Sequence, residues 1–176
     1  MGEDIHHLTR DILEHPQFLK LKTFHHHGEN NSVYDHSVRV AQRTYELARR
    51  HGMPEEEVRL AVRAALLHDF FGYNRYSDRF QQSKSVNKQV RRLNRRHFLD
   101  HGRIAANRAM RVFGLTQEQY DAIARHMFPL TAMPRTKMAW LITLADKQVA
   151  AGEMLTATRE RTYAFYLRRR ARRKTA

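Results

Sequence analysis

An all-α fold is predicted for this chain of 176 residues by three observations. Apolar residues recur mostly at spacings of three and four, the helical period, and do not alternate as in a strand. Only seven Gly and four Pro interrupt the chain, so the periodic segments run long. Capping signatures open several of these segments, and Gly or Pro closes them. A 41% apolar fraction with 28% charged residues suits a folded globular chain, and the length suits one domain with a substantial core.

The elements follow in order. A first helix is expected over about 5–15, with Asp4 as its cap. The break HHHGENN precedes Ser32, which caps a helix over about 33–51 whose apolar face includes Val33, Val40, Tyr45, Leu47 and Ala48, and Gly52 ends it. Pro54 with Glu55, Glu56 and Glu57 reads as a first turn, because proline loses no hydrogen bond there and acids complement the helix dipole. This helix continues to His68. A helix over about 100–113 stops at Gly114, and Thr116 with Gln119 forms a capping box for one over about 117–127, closed by Pro129. The apolar stretch from about 135 to 153 is expected to be central, and a last helix is expected over about 155–171. Residues 74–96 are polar and basic with no clear stripe. The organisation expected is one helical domain over 1–157 and a basic C-terminal helix or tail over 158–176.

The chain carries 32 Lys+Arg against 18 Asp+Glu, a net charge of +14. That excess is concentrated. Residues 84–103 hold seven Lys/Arg and one Asp, and residues 158–176 hold eight and one Glu, together 13 of the 14 excess charges. A nearly neutral domain thus carries two cationic segments able to attract an anion. No apolar run approaches the ~18 residues of a membrane span, and the acidic N-terminus lacks the apolar core of a signal peptide, so a cytoplasmic location and no membrane partner are expected. With no cysteine, disulfides and thiolate metal sites are excluded.

Twelve histidines are present, and their placement matters more than their number. His36, His68, Asp69, His101, His126 and Asp146 each fall within or at the end of an expected helix, mostly beside apolar neighbours. Buried without partners, such groups cost about 1–3 kcal/mol each. Taken singly, each histidine reads as a satisfied core residue. Four His and two Asp together offer N and O donors for iron, manganese, zinc, nickel or cobalt.

In order along the chain, the blocks YDHSVRVA (34–41), AALLHDFF (64–71), HFLDHGRIAANRA (97–109), ARHMFPLT (124–131) and LADK (144–147) resemble the HD-domain superfamily of metal-dependent phosphohydrolases, over roughly residues 18–155. His27, Gly28 and Ser32 resemble the segment that leads into the first ligand in one bacterial subgroup of that superfamily.

The resemblance implies a helical bundle with the metal site in its core. His36, His68, Asp69 and Asp146 would hold one ion, with Asp69 bridging to a second held by His101 and His126. His97 competes with His101, lying four residues earlier on the same helical face, and the small residues after His101 favour it.

Two divalent ions would generate a hydroxide that attacks phosphorus, making Asp69 and Lys147 the catalytic candidates. Lys147 would touch phosphate or pair with a surface acid. Where many members read HD followed by Ile-Gly-Lys, this chain reads HDFFGYNR. Arg75 or Lys147 would then take the place of the missing lysine. His27, Arg95 and Arg96 complete the substrate-binding candidates.

The activity implied is hydrolysis of a phosphate ester or anhydride, with a phosphorylated small molecule or nucleotide as partner. Two alternatives stand beside it. The same six ligands resemble those of di-iron oxygenases, and the basic tail also suits a nucleotide- or nucleic-acid-binding module with a structural metal.

Overall fold

The structure, a computed structural model, describes residues 3–25, 31–72 and 88–174. Seven α-helices carry these segments: α1 (Glu3–Leu13), α2 (Pro16–Leu19), α3 (Val33–Arg50), α4 (Glu55–Leu67), α5 (Lys88–Phe113), α6 (Gln117–Arg125) and α7 (Lys137–Lys174), with a 3₁₀ turn over Lys20–Thr23.

The expected caps form. Ser32 Oγ accepts the Asp35 amide at 3.1 Å and donates to its carboxylate at 2.6 Å, opening α3. Thr116 and Gln119 form a reciprocal capping box, in which Thr116 Oγ1 accepts the Gln119 amide at 3.2 Å and Gln119 Oε1 accepts the Thr116 amide at 3.0 Å. Gln119 Nε2 also donates to the Leu60 carbonyl at 2.9 Å, tying α6 to α4.

Three expectations are corrected. Helix α1 starts at Glu3, so Asp4 lies inside it, and ends at Leu13. His15 instead takes the extended conformation that a residue before proline prefers, and its Nδ1 accepts the Gln17 amide at 3.2 Å as the cap of α2. Helix α5 is already formed at Lys88, where the described residues resume, well before position 100. Its first turns lack an apolar stripe, yet they are rich in Lys, Arg and Gln, which lose little rotamer freedom in a helix, and hold no Gly or Pro. Helix α7 runs unbroken where two helices are expected. Gly152 alone costs about 1 kcal/mol, too little to break a helix anchored by the buried Met138, Ile142 and Ala145.

Helix α3 packs on α4 and on α7, α5 packs on α6, and α6 packs on α7. The core between them contains Ile5, Ile12, Phe18, Leu21, Leu66, Leu67, Phe70, Ile123 and Ile142, all fully buried. The Phe70 ring contacts those of Phe18 and Phe113 at centroid distances of 6.3 and 5.4 Å, so the residue after the His68–Asp69 pair anchors the end of α4. Gly72 then turns the chain at φ +79°, where a Cβ would strike the Arg108 guanidinium. No helix of the described residues is long and apolar enough to cross a membrane.

Candidate metal centre

All six of the predicted ligands are buried, and they converge from five places in the fold. His36 comes from the second turn of α3, His68 and Asp69 from the end of α4, His101 from α5, His126 from the end of α6 and Asp146 from α7.

The same local device places two of the histidines. His68 and His126 are the C-caps of α4 and α6, where a helix leaves its last carbonyls without intrahelical partners. Each ring turns back to a carbonyl of the last turn, which otherwise receives only a long 3.5 Å bond from the cap's own amide: His68 Nδ1 lies 2.8 Å from the Ala65 carbonyl oxygen and His126 Nδ1 2.7 Å from that of Ile123. A carbonyl can only accept, so both Nδ1 atoms carry a proton and both Nε2 atoms face the interior. In both, the bond spans three residues, which is why a histidine at a helix terminus suits this role.

His36 is held differently. Its Nδ1 lies 3.1 Å from both carboxylate oxygens of Glu153 on α7, and its Nε2 lies 3.3 Å from Asp146 Oδ1. The same Asp146 oxygen is 3.7 Å from His68 Nε2.

Asp69 sits between two sets of rings. Its Oδ2 is 3.7 Å from His68 Nε2, while its Oδ1 is 3.7 Å from His101 Nε2 and 3.8 Å from His126 Nε2. Two groups thereby have ligand atoms within 4.8 Å of one another: His36, His68 and Asp69, and Asp69, His101 and His126.

The residues fit divalent cations. His68 Nε2 is buried and has no hydrogen-bond partner among the described residues, a costly arrangement for an isolated lone pair. The Nε2 atoms of His101 and His126 stand 3.2 Å apart. Two nitrogens bound at 2.0–2.1 Å to one ion, with bond angles between octahedral and tetrahedral, would be about 2.8–3.4 Å apart. The donor set is entirely imidazole and carboxylate, which suits zinc, iron and manganese.

The electrostatics divide the cluster: the two carboxylates and His126 are held in their ligating forms, whereas neighbouring carboxylates raise His36 and His68, which must give up a proton to bind metal. Burial pushes the Asp69 and Asp146 carboxyls toward the neutral form, but the surrounding imidazoles outweigh it and hold both below the ordinary carboxylate value. Burial opposes the charging of His36, yet Asp146 and Glu153 raise it to about 9. His126 is driven down to about 3 by burial and by the adjacent His68 and His101, which leaves it neutral, the form that ligates metal.

Lys147 projects outward, 43% exposed, with its Nζ 3.3 Å from Asp146 Oδ2. It therefore pairs with an acid, and that acid is the neighbouring candidate ligand. His27 and Arg75 lie outside the described residues, as do the side chains of Arg95, Arg96 and His97, although these last three positions are on α5. Sequence reasoning missed Glu153. It lies seven residues, two helical turns, after Asp146 and so on the same face of α7, a spacing that would have flagged it.

A family model described as the HD domain matches residues 33–151, which spans all six converging residues. No curated protein and no solved structure matches the chain.

Proposed function

Because the chain belongs to the HD-domain family, composed mostly of metal-dependent hydrolases, we propose that it is a phosphohydrolase acting through two divalent ions on a phosphate ester or anhydride, with a nucleotide as the favoured substrate class. One observation carries this reading: the Asp69 carboxylate is common to two candidate ligand groups, with Oδ2 toward His68 and Oδ1 toward His101 and His126.

His36, His68 and Asp146 would hold the first ion with Asp69, and His101 and His126 the second. When bound, such ions supply Lewis-acid stabilisation of phosphoryl charge and a nucleophile from water near neutral pH. The protein's own contribution is to keep these donors ready. Asp69 and Asp146 stay ionised, and the Ala65 and Ile123 carbonyls hold the His68 and His126 rings with Nε2 inward.

Lys147 stands at the edge of the cluster, buried on its Asp146 side and open to solvent. Its ammonium can accompany a phosphate oxygen entering there, as a point charge on a flexible stem. The positive run of α5 leads in sequence to His101 and would raise the local concentration of anions.

The test is to load metal-stripped protein with manganese, zinc or iron and to measure phosphate release from a panel of nucleotides and phosphomonoesters. Dioxygen consumption by the iron form is measured alongside. Metal-dependent phosphate release that Asp69→Ala abolishes supports the proposal. Dioxygen uptake without phosphate release, or turnover surviving complete metal loss, overturns it.

A further inference from the structure

We propose that Glu153 is a positioning residue for His36, and that its carboxylate raises the affinity of the first ion through the His36 ring while leaving the second largely alone. This rests on the two-ion reading above.

A ligating imidazole must fix its second nitrogen, or the ring rotates and the donor atom is lost. His68 and His126 solve this locally, because each caps a helix and reaches the carbonyl three residues back, which otherwise receives only a long 3.5 Å bond from the cap's own amide. His36 has no such resource. It lies in the body of α3, where the carbonyls are engaged in the helix's own ladder, so its acceptor must come from elsewhere in the fold.

Glu153 supplies it from 117 residues away, with both carboxylate oxygens 3.1 Å from Nδ1. The carboxylate is 10% exposed and is itself held. Arg39, one turn along α3 from His36, donates from Nε to Glu153 Oε1 at 3.0 Å and also bonds the Asn31 side chain. The chain Asn31, Arg39, Glu153, His36 thus runs from the half-exposed surface of α3 to the fully buried ring.

An ionised acceptor does more than orient. It strengthens the hydrogen bond and makes the opposite nitrogen a better donor than a neutral carbonyl would. His36 thus has a charged acceptor where His68 and His126 have neutral carbonyls. The selectivity follows from connectivity, since Glu153 touches His36, which belongs with His68 and Asp69 and not with His101 and His126.

The test uses the metal-stripped full chain, titrated with zinc against a competing chelator, in wild type, Glu153→Ala, Glu153→Gln and Arg39→Gln. Glu153→Ala is expected to weaken one of the two ions about 10- to 100-fold while the other stays within about 2-fold. Glu153→Gln keeps an acceptor but loses the charge, so its loss should be smaller, and the His36 Nδ1–H proton resonance of the zinc form should shift. Arg39→Gln should change the affinity less than Glu153→Ala.

Equal affinities in wild type and both Glu153 variants overturn the proposal. So does a parallel weakening of both ions with a lower melting temperature of the metal-free protein, which marks a structural role. If Glu153→Ala does not fold, Glu153→Gln decides on the same criteria. A wild type that binds no divalent ion overturns the metal reading itself, whereas two ions bound equally well by wild type and variants overturn only the role of Glu153.

Discussion

Gly102 touches His126 across two helices: a Cβ built on Gly102 would stand 3.1 Å from His126 Nδ1 and 2.9 Å from the Ile123 carbonyl oxygen that this nitrogen binds. The missing side chain lets α5 approach the end of α6 closely enough for His101 and His126 to bring their Nε2 atoms to 3.2 Å. Gly102→Ala should therefore act on the second ion. Overpacking of this kind costs about 1–3 kcal/mol, partly offset by the better helix propensity of Ala, worth about 0.5–1 kcal/mol. The expected result is a small drop in melting temperature and a clear loss of affinity for one ion of two. Unchanged metal binding would show that the close approach is not needed.

Removal of ligands should separate the two groups. Asp69→Ala takes away the carboxylate shared by both and is expected to eliminate both ions and all activity. His126→Ala leaves His36, His68, Asp69 and Asp146 in place, so one ion per chain should remain. Metal content after desalting, measured by plasma mass spectrometry, checks this, and loss of both ions in His126→Ala would contradict the partition.

Phe18 supports the site from beneath. Fully buried, it packs on Tyr34 at 5.3 Å, two residues before His36, and on Phe70, directly after Asp69. Phe18→Ala should cost about 3–5 kcal/mol by cavity formation, read as a lower denaturant midpoint. A cost below about 1 kcal/mol would mean that the surrounding core collapses into the space.

A pH-dependent term comes from the pair Asp11 and Arg63, which ties α1 to α4 through two hydrogen bonds of 2.6 and 2.8 Å. The hydrogen bonds from Arg63 hold the Asp11 carboxyl below its ordinary value, against a smaller opposing effect of burial. A lowered folded-state value contributes stability above the unfolded value near 4, and this is lost as the pH falls through the folded value. Because the carboxylate is more than half exposed, solvent screening limits the term to about 0.2–1 kcal/mol. Asp11→Asn should lower stability by that amount at pH 7, and the difference from wild type should vanish in acid. A difference that persists below the folded value would assign the effect to packing.

Local chemistry explains how much could be read in advance. The caps at Ser32 and Thr116 involve residues three apart, and the bonds of His68 and His126 to their own helix ends also span three residues. Such features are written in short stretches of chain. The start of α5 and the continuity of α7 were not legible from an apolar stripe, because the first depends on the propensity of polar residues and the second on anchoring by the core.

By itself, the sequence determined the helical class, the main caps and six residues whose chemistry suits divalent cations. Only the tertiary structure sets Asp69 Oδ1 against His101 and His126, brings Gly102 against the end of α6, and places Glu153 3.1 Å from His36 Nδ1. These last relationships join residues 21 to 117 positions apart, where nothing in the local period couples them, and the packing of α3, α5 and α6 against their neighbours brings them close.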